Sequence, residues 1–253
     1  MSETTLDLTG AVHLEHCMGT VFTIDIRDAG QWDDAIGAVV VWLHRVDALF
    51  STYRQTSDIS RIRRGHLRVV DADPHVAEVV DLCARLQAET GGYFTAFWDG
   101  RLDPTGLVKG WAIERASALL HAGGSHNHAV NGGGDMQLAG EAAPGKPWRV
   151  GISDPCDATR LVAIVQGRDF AVATSGVAER GKHIVDPRTA TPAGGLASVT
   201  VLGRSLTRVD AYATAAFAMG GNALPWLEAR PGHEGLVVSS DGVATPTSRF
   251  YAR

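Results

Sequence analysis

Apolar and polar residues alternate along Val21-Phe22-Thr23-Ile24-Asp25-Ile26, the period of a strand with one buried face. The period then changes. Trp32, Ile36, Val39, Val40, Leu43, Val46 and Leu49 recur at helical steps and predict a helix. A second helix is expected to open at Asp73-Pro74, because aspartate caps and proline suits the first helical position. Val76, Val79, Val80, Cys83 and Leu86 would form its buried face, and Gly91-Gly92 would end it. A third follows Asp103-Pro104-Thr105-Gly106 and carries Trp111, Ala112, Ala116, Leu119 and Leu120. Short apolar runs between turns then predict strands at 129–131, 136–138, 148–152, 161–165, 170–173 and 198–201. A helix of small residues is expected at 209–219, another turn or two at 225–229, and strands at 235–239 and 249–251. Helices and strands come in blocks without steady alternation. That predicts an α+β fold, with helices packed on a largely antiparallel sheet. No Pro/Gly/Ser linker divides residues 1–253, so a single domain is expected. The stretch 141–147 reads as a loop between two strands.

Composition narrows the function classes. The chain is 45 % apolar and 20 % charged, an ordinary globular balance that disfavours disorder and repeats. Its net charge of −5 argues against a nucleic-acid surface, which would show a basic excess. Arg61, Arg63, Arg64 and Arg68 are flanked by Asp58, Asp71 and Asp73 and read as a solvated face. No run approaches the roughly 20 apolar residues of a spanning helix, so no membrane insertion is expected. Met1 to Asp7 is polar and acidic, unlike a signal peptide. Cys17, Cys83 and Cys156 are far apart and odd in number, which favours a reducing, cytoplasmic setting.

Four segments offer chemistry, and each alone also has a plain structural reading. In Asp103-Pro104-Thr105-Gly106-Leu107-Val108-Lys109 a glycine-bearing turn leads into a helix with an early lysine, which suits a phosphate or a capped helix with a solvated lysine. Asn131-Gly132-Gly133-Gly134-Asp135 permits close backbone approach to a ligand or simply makes a turn. Asp135 reads either as a ligand or supporting group, or as a turn aspartate. The segment from Ala173 to Thr189 gathers small hydroxyls, glycines, His183 and Asp186. Histidine is the natural base near neutral pH, though a histidine at a strand end is often structural. Asp210 and Thr214 lie four apart on the small-residue helix and so share a face. They offer two hard oxygens suited to magnesium, or a helix cap and a packed threonine.

Taken in order, DPTGLVKGWA, NGGGD, ATSGVAERGKHIVDPRT and DAYAT resemble the ApbE-type FAD:protein FMN transferase family. Met18-Gly19-Thr20, Ser51-Thr52-Tyr53 and the following Ser57-Asp58-Ile59-Ser60-Arg61 extend the likeness, which runs from about Cys17 to Gly220. The resemblance implies an ApbE-like, T-fold-like architecture. It implies a magnesium site formed by Asp210, Thr214 and the Gly106 carbonyl. It implies FAD contacts from Met18, Tyr53, Tyr93, Phe94, Thr95, Asp103, Lys109, His183 and Ile184, with His183 as the base. Two departures stand out. Thr95 replaces an acidic residue usual in the family, and only Ala96 to Leu102 remain of a usually long segment, which makes this a short form.

The implied reaction is magnesium-dependent. FAD, here a substrate, is cut at its diphosphate, FMN joins a threonine or serine of an acceptor flavoprotein through a phosphoester, and AMP leaves. An FAD pyrophosphatase using water, and a non-catalytic FAD-binding protein, are the alternatives.

Overall fold

A computed structural model of the chain describes residues 10–98, 100–177 and 185–250. The first hairpin pairs β1 (Ala11–Cys17) with β2 (Thr20–Ile26). Three helices follow: α1 (Asp33–Phe50), the short α2 (Asp58–Arg63) and α3 (Pro74–Glu89). A small hairpin, β3 (Phe97–Trp98) and β4 (Arg101–Leu102), leads into α4 (Thr105–Ala122). Then come β5 (His128–Gly132), β6 (Asp135–Ala139), β7 (Trp148–Asp154), β8 (Asp157–Gly167) and β9 (Phe170–Gly176). A second small hairpin, β10 (Val185–Asp186) and β11 (Thr191–Pro192), precedes β12 (Leu196–Gly203), α5 (Leu206–Met219) and α6 (Ala223–Glu228). Strands β13 (Glu234–Ser239) and β14 (Ala244–Pro246) come last.

The architecture is α+β, as the block pattern implied. Eight strands form one sheet in the order β1-β2-β5-β6-β9-β12-β13-β14. Every neighbouring pair is antiparallel. The helices cover one face of the sheet and the β7–β8 hairpin covers the other. Alternation along single strands shows this directly. Ala171 and Ala173 of β9 enter the helical core, while Phe170 and Val172 enter the core beneath β7–β8. Period-2 side-chain direction thus feeds two cores from one strand.

Sequence explains the local elements. Asp73 accepts the His75 amide at 3.0 Å and Pro74 opens α3, as expected. Ser57 caps α2 by accepting the Ser60 amide at 3.1 Å. Helix α4 is apolar on nearly every side because it is sandwiched: Leu107, Val108, Trp111, Ala112, Ile113, Ala116 and Leu120 are all buried. Helix α5 buries Ala211, Ala213, Ala215, Ala216 and Ala218, small side chains that let it lie close on β9 and β12.

Some expectations need correction. Arg249 and Phe250 form a turn, not a strand, and Tyr251 lies outside the described residues. The last strand among the described residues is β14, and Phe250 is instead an anchor in the second core. Strand β1 escaped the sequence pattern because its apolar residues point outward: Val12 is 68 % and Leu14 60 % exposed. The arginine cluster is a paired surface, with Arg61 on Asp58 at 3.5 Å and Arg68 on Asp71 at 2.6 Å. The three cysteines are unpaired.

His128, which opens β5 and packs against α4, is fully buried and held by the Ser117 hydroxyl at 2.8 Å and the Ser125 hydroxyl at 2.9 Å. Burial pushes its pKa down to about 4, so the folded ring is neutral. The unfolded ring titrates near 6.5 and therefore binds more protons between these values. This contribution is complete above pH 6.5 and is lost as pH falls toward 4, worth up to about 3 kcal/mol. His128→Gln should remove that slope. Melting scans of both proteins across this window should show the wild type losing more stability on acidification; equal losses would contradict the account.

Candidate active site

Two tight hairpin turns face one edge of α4. In the first, Met18 and Gly19 join β1 to β2 with φ of 50° and 72°. In the second, Gly133 and Gly134 join β5 to β6 with φ of 60° and 88°. Two positive φ values in a two-residue loop match the twist of the strands they connect. Glycine accepts this conformation without strain, whereas Met18 carries a penalty of about 1–2 kcal/mol. Strain of this kind gathers at functional sites. The two turns touch: a carbon built on Gly133 would lie 3.2 Å from the Thr20 hydroxyl and 4.0 Å from Lys109 Nζ. A cleft of about 450 Å³ opens beside Met18, lined also by His16, Thr20, His44, Asp47 and Arg54.

Lys109, near the start of α4, comes close to the second of these turns. Asp103 Oδ1 accepts the Thr105 amide at 3.1 Å and the Thr105 hydroxyl at 2.6 Å, so it fixes the entry to the helix. Its other oxygen lies 3.9 Å from Arg63. Gly106 is exposed, and a carbon built on it would meet only the ring of Phe94, at 3.5 Å. Phe94 itself is buried beneath the helix start. Lys109, a quarter exposed, ion-pairs with the buried Asp135 at the start of β6.

Asp210 is 7 % exposed on α5, and its Oδ2 accepts the Gly110 amide of α4 at 3.1 Å. In a regular helix that amide answers the carbonyl four residues back, which here is Gly106. The carboxylate therefore sits beside the turn that carries the Gly106 carbonyl. One turn along α5, the Thr214 hydroxyl lies 3.2 Å from the Ser175 hydroxyl on β9. The neighbouring Thr174 amide donates to Asp135 Oδ1 at 3.1 Å. A chain of contacts thus links Lys109, Asp135, Ser175, Thr214 and Asp210 across α4, α5, β6 and β9.

The other expected contacts are more spread out. Tyr53 is 95 % exposed on the loop after α1. The Thr95 hydroxyl accepts the Phe97 amide at 3.0 Å and shapes its own turn. Tyr93 is covered by Arg188, whose guanidinium lies 4.8 Å from the ring centroid and donates to the phenol oxygen at 2.6 Å. Arg188 was not foreseen; it follows the HIVDP segment and ties it to the loop carrying Tyr93. Asp186 accepts the Arg188 amide at 2.9 Å, and its strand β10 rests on α5. His183 and Ile184 lie outside the described residues.

Asp210, Thr214 and a carbonyl offer only hard oxygens, which suits magnesium. Among the described residues no three His, Cys, Asp or Glu side chains gather as a metal cage. A single carboxylate with a hydroxyl and a carbonyl fits an ion that substrate phosphates and water complete.

Residues 18–99 and 98–237 match the ApbE family. This chain belongs to the ApbE family. The two matched stretches meet inside the short segment Ala96 to Leu102. The chain is 30 % identical over 237 residues to an FAD:protein FMN transferase of Rhodobacter capsulatus, spanning 90 % of this chain and 42 % of that protein. It is 34 % identical over 129 residues to one from Vibrio cholerae, spanning 47 % of this chain and 39 % of the relative. It thus covers well under half the length of these relatives. Among solved structures, the apo flavinyl transferase ApbE of Pseudomonas stutzeri superposes with a TM-score of 0.84 at 26 % identity, over 96 % of this chain and 95 % of that one. The ApbE protein of Thermotoga maritima gives a TM-score of 0.85 at 23 % identity, over 96 % and 98 %, which supports the ApbE fold. Among the described residues no helix is long and apolar enough to cross a membrane.

The polar contacts between these helices depend on how closely α4 approaches α5. A carbon built on Gly110 would lie 2.9 Å from Asp210 Cβ, Asp210 Oδ2 and the Leu206 carbonyl. Gly110→Ala should cost about 1–3 kcal/mol in urea unfolding, as overpacking does. Gly106→Ala, with only a ring at contact distance, should be neutral or stabilising by up to about 1 kcal/mol. Equal effects at both positions would refute this view of the helix contact.

Proposed function

We propose that this chain is a magnesium-dependent FAD:protein FMN transferase. The observation that carries the reading is this chain of contacts. An early-helix lysine, and a carboxylate and a hydroxyl one helical turn apart, belong to elements that pack together and carry the family motifs, which supports the reading. The names of the relatives supply the reaction class. One eight-stranded sheet draws strands from both matched stretches, so the reading treats the chain as one domain.

In this reading the FAD diphosphate lies against the start of α4. Lys109 offsets its negative charge. Asp210, Thr214 and the Gly106 carbonyl would hold magnesium, which when bound would neutralise phosphate charge and make phosphorus more electrophilic. Met18, Tyr53 and Tyr93 would border the flavin, with Phe94 supporting from below and Thr95 and Asp103 shaping the adjoining turns. Ile184 is assigned to the flavin wall and His183 to the base on motif grounds. A threonine or serine hydroxyl of the acceptor attacks the phosphorus that carries the riboflavin half. His183 takes its proton, the new phosphorus–oxygen bond forms, and the bond to the bridging oxygen breaks. AMP leaves with that oxygen.

The test is incubation with FAD, magnesium and candidate acceptor flavoproteins, followed by mass spectrometry and nucleotide analysis. The expected result is FMN on an acceptor threonine or serine with equimolar AMP. Free FMN and AMP without an adduct would make the chain an FAD pyrophosphatase. FAD left intact would make it a binding protein. His183→Ala should lower the rate by about 10²–10⁴-fold, as loss of a general base does.

A further inference from the structure

A phosphate-binding lysine on a flexible four-carbon stem has many places to point. In this chain the choice is restricted. Lys109 is ion-paired with Asp135 Oδ2. Asp135 is 1 % exposed, and its other oxygen accepts the Thr174 amide at 3.1 Å. The carboxylate is therefore held from two directions. The Gly133-Gly134 turn sets the start of β6, and the β9 backbone grips the side chain. The same turn lies against the lysine end, since a carbon built on Gly133 would stand 4.0 Å from Nζ, an ordinary contact distance.

The pair joins the two motifs DPTGLVKG and NGGGD, which are separate in sequence. Burying a carboxylate is unfavourable without a partner, so its placement against this lysine demands an explanation. A purely structural pair would tie β6 to α4. Yet the lysine end is a quarter exposed, which a simple strut does not require. Fixing the ammonium before the reaction lowers the ordering cost of the transition state.

We propose that Asp135 is the positioning residue for Lys109, holding its ammonium over the diphosphate site and sharing it with the phosphates during transfer. This rests on the flavin-transfer reading of the site. Asp135 touches no reacting atom in this scheme. It acts through the lysine, and its own negative charge opposes ground-state binding of an anionic nucleotide.

That last point separates the proposal from a structural role. Asp135→Asn keeps an acceptor for the Thr174 amide but loosens the lysine. FAD turnover should fall about 10²-fold, as misplacement near 1 Å does. KM for FAD should stay within about threefold or decrease, because a repelling charge is gone. The decisive experiment is a rate cycle of wild type, Asp135→Asn, Lys109→Met and the double variant, each checked for folding by circular dichroism. In the Lys109→Met background, Asp135→Asn should change turnover by less than about threefold, since coupled residues are not additive. Fully multiplicative losses, or wild-type turnover in Asp135→Asn, would overturn the assignment. Should Asp135→Asn not fold, Asp135→Ser, smaller and still an acceptor, takes its place in the cycle with the same expected outcome. A wild-type chain that leaves FAD intact would instead sink the reading of the site.

Discussion

Helices α4 and α5 meet where Gly110 has no side chain, and the candidate site depends on that meeting. A hydrogen atom in place of a methyl lets the Asp210 carboxylate reach the Gly110 amide at 3.1 Å. The approach is held from behind by α5, whose run of buried alanines lets it lie low on β9 and β12. It is held from the other side by α4, wedged among α1, α5 and the sheet. Small residues at the contact and large ones around it convert ordinary core packing into a polar corner. Further from the contact, Glu114 on α4 fixes the start of α5 by accepting the Ser205 hydroxyl at 2.8 Å and the Thr207 amide at 2.8 Å. The two helices are thus registered by polar contacts at two levels, so Asp210 and Lys109 have fixed relative positions.

Around that contact, backbone geometry does work that side chains cannot. The two positive-φ turns bring Thr20 and Gly133 to the edge of Lys109. One of them spends conformational energy on Met18, a residue expected at the flavin. Strand β9 adds a backbone donor, the Thr174 amide, and a side-chain hydroxyl, Ser175, from adjacent positions. Polar groups taken from water need partners, and here each partner comes from a different element. The corner is consequently a consequence of the whole sheet order and not of one local motif.

Much of this was legible in the chain itself. The alternation of residues 21–26, the Asp73-Pro74 helix start and the glycine turn after Asn131 announce themselves by period and by turn chemistry. The four-residue step from Asp210 to Thr214 places them on one face without further help. What stayed hidden has physical causes. Strand β1 turns its apolar side chains outward, so the pattern that marks a buried face is inverted. Helix α2 spans only six residues and the β10–β11 hairpin two per strand, too short for any period to show. Phe250 looks like a strand residue but is a core anchor on a turn. The pairings of Lys109 with Asp135 and Arg188 with Tyr93 are tertiary, created by sheet order and loop docking, so no local spacing reveals them. His183 and Ile184, which carry much of the motif argument, lie outside the described residues.

In the proposed function the diphosphate of FAD is recognised where α4 meets α5, and Asp210 supplies the charge that would hold magnesium there. Calorimetric titration of FAD with and without magnesium, in wild type and in Asp210→Asn, tests it most directly. Asparagine keeps an acceptor for the Gly110 amide while removing the charge. The account predicts that magnesium tightens FAD binding to the wild type about tenfold or more, roughly 1.4 kcal/mol, and that this gain disappears in Asp210→Asn. A magnesium effect of the same size in a folded Asp210→Asn variant would contradict it.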